Sequence, residues 1–103
     1  MFTVTRSAAK EIKNNAHRGD AEELALRIAA AREDDGAISY RMGFDEITLS
    51  DVVISSAGVD VVIAEGDKEL LMGATLDYVE MEPGQHQFIF LNPNDPHFVP
   101  PTE

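Results

Sequence analysis

Three histidines and two carboxylate runs are the groups in this chain with the chemistry to bind a metal or carry a proton. His86 and His97 flank the last apolar run, eleven residues apart, with the proline-rich stretch Asn92-Pro93-Asn94-Asp95-Pro96 between them. Zinc or iron wants histidines and carboxylates converging in space. No H-x-x-x-H or H-E-x-x-H pattern brings these together on one element, so locally bonded or solvent-facing rings are expected. Glu33-Asp34-Asp35 precedes a glycine and lacks the spacing of a calcium loop. Asp77, Glu80 and Glu82 read as the wet side of a strand. Ser39, Ser50, Ser55 and Ser56 stand in no nucleophile-elbow context, and the glycines are scattered singly rather than grouped to cradle phosphate. No motif supports an enzyme.

The composition narrows the chemistry further. The chain has no cysteine. It therefore has no thiolate nucleophile, no disulfide and no cysteine-held zinc or iron–sulfur cluster. Its 103 residues suit one domain, and a 44% hydrophobic share suits one modest core. Eight basic residues against nineteen acidic ones leave a net charge of −11. That field repels phosphate backbones and disfavours nucleic acid, while it favours a basic protein partner or cations. No window approaches a membrane span, and the N-terminus lacks the blocks of a signal peptide, so the cytoplasm is the expected compartment.

The elements that must position these groups are legible in outline. Thr5 or Ser7 caps a helix whose Ala8, Ala9, Ile12 and Ala16 share one side. That helix is expected to stop at Gly19 in the left-handed C′ position, with His17 in the last turn. Leu24, Leu26 and Ile28 alternate, although the intervening alanines leave helix open there. Asp35-Gly36 signals a hairpin turn into Ile38, Tyr40, Met42 and Phe44, the clearest strand. Asp51–Ile54 and Val59–Ala64 form a second pair of strands, and 67–72 reads as a short helix ended by Gly73. Thr75–Glu80 and Gln85–Leu91 pair across Glu82-Pro83-Gly84, with Phe88 and Phe90 as core. The expected fold is mainly β, an α+β domain of antiparallel strands in two packed sheets or a partial barrel, with an N-terminal helix and a short second helix. Residues 1–103 are expected to form a single domain, with 95–103 as a flexible C-terminal tail.

Five blocks in order resemble the A-type iron–sulfur carrier (HesB/IscA-like) family. They are Thr5-x-x-Ala8-Ala9, Leu26-Arg27-Ile28 leading to Ile38-Ser39-Tyr40 and Phe44-Asp45, Gly58-Val59-x-Val61-Val62, Gly73-x-Thr75-Leu76-Asp77-Tyr78-Val79-Glu80, and Phe88-x-Phe90-x-Asn92-Pro93-Asn94. The resemblance implies a compact HesB-like fold. It also implies one cluster-binding cysteine at the position of Asp35 and two more at Val99 and Pro101, separated by Pro100 where the family has glycine. Carboxylate is a hard ligand, valine is none, and proline stiffens the tail. No cofactor is expected, and a [2Fe–2S] cluster held at these positions is excluded.

The blocks Tyr40–Asp45 and Phe88–Pro93 resemble the cysteine-free DsrR branch, found with reverse-type dissimilatory sulfite reductase genes. That placement implies an accessory or regulatory binding protein in sulfur oxidation, acting on an unidentified protein partner. The candidate contact residues are Asp34, Asp35, Asp95, His97, Phe98 and Val99. The alternative is a mononuclear iron or other metal carrier in cluster assembly, with Asp35, His86 and His97 as ligands.

Overall fold

Thr5 starts the first helix, α1 (Arg6–Arg18), in a computed structural model that describes residues 2–96. Its hydroxyl oxygen accepts from the Ala8 N–H at 3.1 Å and donates to Asp77 Oδ1 at 2.7 Å. The cap therefore fastens the helix to the sheet beside it as well as satisfying a free donor. Ser7, the other capping candidate, instead donates to the Tyr78 carbonyl at 2.6 Å. Ala8, Ala9, Ile12 and Ala16 are buried, as the helical spacing requires.

The end of α1 differs from the sequence expectation. Gly19 has φ −93°, and the left-handed residue is Asp20, with φ 54°. The Ala21 N–H reaches the Ala16 carbonyl at 2.8 Å and the Asp20 N–H reaches that of His17 at 3.3 Å. These two bonds make a Schellman ending with aspartate at C′. A side chain in this conformation costs energy that glycine does not. Asp20→Gly is thus expected to raise stability by about 1 kcal/mol in urea titration.

Seven strands follow the chain: β1 (Thr3–Val4), β2 (Ala25–Arg32), β3 (Ile38–Asp45), β4 (Asp51–Ser56), β5 (Val59–Ala64), β6 (Thr75–Glu82) and β7 (Gln85–Leu91). They form a four-stranded sheet ordered β3-β2-β5-β4 and a three-stranded sheet ordered β1-β6-β7. No closed barrel forms among the described residues. The hairpins β2–β3, β4–β5 and β6–β7 are antiparallel, whereas β2–β5 and β1–β6 run parallel, so both sheets are mixed. The Leu24–Ala30 stretch is strand from Ala25, and Leu24 lies outside it, 38% exposed. Leu26, Ile28 and Ala30 turn inward.

The turns explain the hairpins. Ala57 and Gly58, at φ 52° and 79°, make a two-residue loop of the kind that matches strand twist. Asp34-Asp35-Gly36 is a three-residue loop in which Gly36 alone takes positive φ, 90°. Between β5 and β6 the expected short helix is two 3-10 turns, Glu65–Asp67 and Glu69–Leu71, closed by Gly73 at φ 79°. Ile28, Val61, Leu71 and Leu76, each at most 1% exposed, centre the core between the sheets and α1.

Arg27 on β2 ties the 46–50 loop down. Its guanidinium donates to both oxygens of Asp51, at 2.8 and 2.7 Å, to Asp45 Oδ2 at 2.7 Å and to the Glu46 carbonyl at 3.0 Å. The Asp51 side chain is 4% exposed and also accepts from the Thr48 N–H. Arg27 above all, then the Thr48 N–H, hold the Asp51 carboxyl far below the ordinary carboxylate range.

Candidate functional site

Asn92, one residue past β7, is the buried polar residue on which this end of the molecule is built. Its amide donates to the Leu70 carbonyl at 2.7 Å and to the Tyr40 hydroxyl at 3.1 Å. Its carbonyl oxygen accepts from the backbone and side-chain N–H groups of Asn94, at 3.0 and 3.1 Å. Asn94 in turn donates to the Met72 carbonyl at 2.8 Å and to that of Leu70 at 3.2 Å. Pro93 packs against Gly73, where an added Cβ would lie 3.5 Å from its Cγ. The Asn-Pro-Asn turn thereby clamps the 3-10 segment, with asparagine side chains completing backbone groups that no helix ladder satisfies.

Tyr40 links this turn to the first hairpin. Its ring stacks on Phe90, with centroids 4.1 Å apart and planes 7° from parallel. Burial pushes its phenol above the ordinary value, and the neighbouring Asp95 carboxylate adds to that while the Asn92 bond opposes it. The hydroxyl therefore stays neutral, between an amide donor and a carboxylate.

The tip of the β2–β3 hairpin meets the same turn. Arg32 donates to the Gly36 carbonyl at 2.6 Å and to the Asn94 carbonyl at 3.5 Å. A Cβ on Gly36 would lie 3.8 Å from Pro96 Cγ. Asp34, Asp35 and Asp95 consequently share one end of the molecule, although 60 residues separate Asp35 from Asp95 in the chain. Asp35 is exposed, and its Oδ1 accepts from the Ala37 N–H at 2.9 Å, which fixes its own turn. Asp95 is anchored at its N–H, which reaches the Asn92 carbonyl at 3.1 Å. His97, Phe98, Val99 and Pro101 lie outside the described residues, as does the tail expectation from residue 97 onward.

His86 is not brought to this end. It pairs with Glu80 near the β6–β7 turn and stacks on Tyr78, with centroids 5.5 Å apart. Six residue steps of about 3.3 Å each separate it from Asn92, so it sits roughly 20 Å from the Asn-Pro-Asn turn. His17 bonds locally to Glu22, at 2.9 Å. Among the described residues no three or more histidines, aspartates and glutamates gather where they could hold a metal ion.

The donor set does not fit an iron–sulfur cluster. Such clusters are held by thiolates, and the chain contains none. Asp35, where the resemblance implies a family cysteine, offers a hard carboxylate already engaged in its own turn. Sequence reasoning singled out Asp34, Asp35 and Asp95 but missed Arg32, Tyr40 and Asn92, which join them. The available signal was asparagine on both sides of a proline, a pattern made for side-chain-to-backbone bonding.

No family model matches the chain. The iron–sulfur cluster insertion protein ErpA of Mannheimia succiniciproducens is 33% identical over 94 residues, covering 90% of this chain and 82% of its own length. A crystal structure of IscA with the [2Fe–2S] cluster superposes with a TM-score of 0.70 at 26% identity, covering 90% of this chain and 86% of that one. The solution structure of a protein from Aquifex aeolicus superposes at 0.65 with 36% identity, covering 89% and 91%. With this identity along nearly the whole length and the two mixed sheets behind α1, the chain belongs to the A-type iron–sulfur carrier (HesB/IscA-like) family, as a member without cysteine.

Proposed function

We propose that this chain is a non-catalytic, cluster-free relative of the A-type carriers, acting as an accessory or regulatory binding protein in dissimilatory sulfur oxidation. One observation carries the reading. The hairpin tip at Asp35 and the Asn92–Pro96 turn remain in contact, held by Arg32, while the chain has no thiolate to bind a cluster there. A scaffold kept without its ligands acts through its surface. The sulfur-oxidation placement is supported by the likeness of Tyr40–Asp45 and Phe88–Pro93 to the cysteine-free branch. The partner surface is the end bearing Asp34, Asp35 and Asp95, continued by His97, Phe98 and Val99. Its acidic groups suit a basic face on a protein. No helix among the described residues is long and apolar enough to cross a membrane, and action in the cytoplasm is part of the proposal.

Disruption of the gene in its host tests the placement. The expected result is slower oxidation of stored sulfur, restored by the intact gene and not by a copy lacking residues 95–103. An unchanged oxidation rate contradicts it. Full rescue by the shortened copy moves the partner surface elsewhere.

A further inference from the structure

A groove of about 380 Å³ lies along the free edge of β4. Buried Phe2 and Leu71 form its floor, and exposed Met72 and Lys68 stand at its rim. Val52, Val53 and Ile54 all line it. Successive strand residues point to opposite faces, so a groove touched by all three straddles the strand edge. β5 occupies the other edge of β4, and no strand among the described residues pairs on the groove side. The Val52–Ile54 part of that edge has no charged residue, no proline and no bulge, and Val53 is 49% exposed, while Ser56 at its end is tied to the Val4 N–H. Among the described residues, Lys68 is the only charged one lining the groove. It forms no salt bridge among the described residues, in a chain whose net charge is −11.

We infer that β4 takes up the extended, apolar C-terminal segment of a partner protein as an added strand, with its terminal carboxylate on Lys68. The main chain of the segment pairs with the β4 edge, and one apolar side chain fills the space over Phe2 and Leu71. Volume supports this, since the groove is large enough for side chains of a strand and lies at the lower end of the range for ligand pockets. Charge complementarity selects the terminus: a single carboxylate matches the one ammonium among the otherwise apolar described residues lining the groove. A second copy of this chain is the weaker occupant, because two bodies at −11 repel one another. The inference is independent of the Asp35 surface and stands if that reading fails.

The test uses a fluorescein-labelled peptide, Ser-Val-Thr-Val-Ser-Val, as free acid and as C-terminal amide. Anisotropy titration is expected to give a Kd of roughly 10–100 μM for the acid and about three- to fivefold weaker binding for the amide. Lys68→Met should abolish the difference between the two peptides. Met72→Glu, a change at an exposed site, should weaken both about tenfold or more. In NMR spectra of the labelled chain, amides of residues 52–55 should shift and gain exchange protection on binding. Equal affinity for acid and amide overturns the proposal, as does absence of binding at about 1 mM. Shifts confined to other strands overturn it too. Decanoate occupying the groove where the peptide does not, or concentration-dependent dimers that shield residues 52–55, would assign the groove to an amphiphile or to a second copy instead.

Discussion

Asn92→Ala is expected to lower the unfolding free energy by about 3 kcal/mol, which for a chain of this size is roughly 10–20 °C in Tm. The side chain is 1% exposed and engages four groups: the Leu70 carbonyl, the Tyr40 hydroxyl and both N–H groups of Asn94. Truncation strips these partners in a place that water reaches poorly, and each buried polar group left unmet costs about 1–3 kcal/mol. Asn92→Asp separates packing from bonding. It keeps the shape but replaces an N–H₂ donor with an acceptor facing the Leu70 carbonyl, so it should destabilise as much as alanine or more. A loss below about 1 kcal/mol for both variants, measured by urea titration, would mean that the turn is held by Pro93 and Asn94 without its buried neighbour.

Arg27→Met is the second large effect, and its signature is pH dependence. At neutral pH the variant leaves Asp51, almost wholly covered, beside Asp45 with no guanidinium between them. The Arg27 hydrogen bonds are the largest cause lowering both carboxyls in the folded chain, and without them the two charges repel. A carboxyl depressed by folding adds stability that is complete above its unfolded value, about 4 for aspartate. That stability is lost as the pH falls through the lower, folded value. The gap in Tm between wild type and Arg27→Met should thus be widest near neutrality and close progressively in acid. The acid-unfolding midpoint of the variant should lie about one pH unit above that of the wild type. A gap that stays constant from neutral pH into acid would assign the loss to the packing of the Arg27 stem. The 46–50 loop is the part of the chain this clasp restrains, and it carries Ile47 and Leu49 into solvent at 51% and 108% exposure.

Local chemistry made much of this fold readable. Alternation over Ile38–Phe44 and the glycines at 36, 58 and 84 mark three hairpins, and the spacing of Ala8, Ile12 and Ala16 marks α1. Contacts distant in the chain were not readable. The parallel pairing of Leu26 with Val61 and of Val4 with Leu76 depends on how the hairpins stack, and no turn residue encodes it. The 67–72 stretch has helical spacing but becomes two 3-10 turns, with the Leu70 and Met72 carbonyls spent on Asn92 and Asn94. Gly19 looked like the left-handed residue because glycine is the usual choice, yet the chain places Asp20 there.

The candidate end was partly visible for the same reason. Asp34 and Asp35 sit on a turn that advertises itself, and their exposure follows. Their approach to Asp95 runs through Arg32 and Tyr40, two strand residues whose roles depend on what β7 brings past them. His86 shows the limit of sequence distance. Close in sequence to the Asn-Pro-Asn turn, it is carried away by a strand of seven residues, where eleven residues of separation from His97 said nothing about direction.

The measurement that bears most directly on the account is anaerobic reconstitution with Fe²⁺, sulfide and a thiol, followed by desalting and assay of bound iron and sulfide. It is run on the wild type and on the triple variant Asp35→Cys, Val99→Cys, Pro101→Cys. The account predicts that the wild type retains neither iron nor sulfide in stoichiometric amount and shows no thiolate-to-iron charge-transfer absorption, while the variant retains both. Stoichiometric iron and sulfide held by the wild type through desalting, and lost in Asp35→Ala, would contradict it.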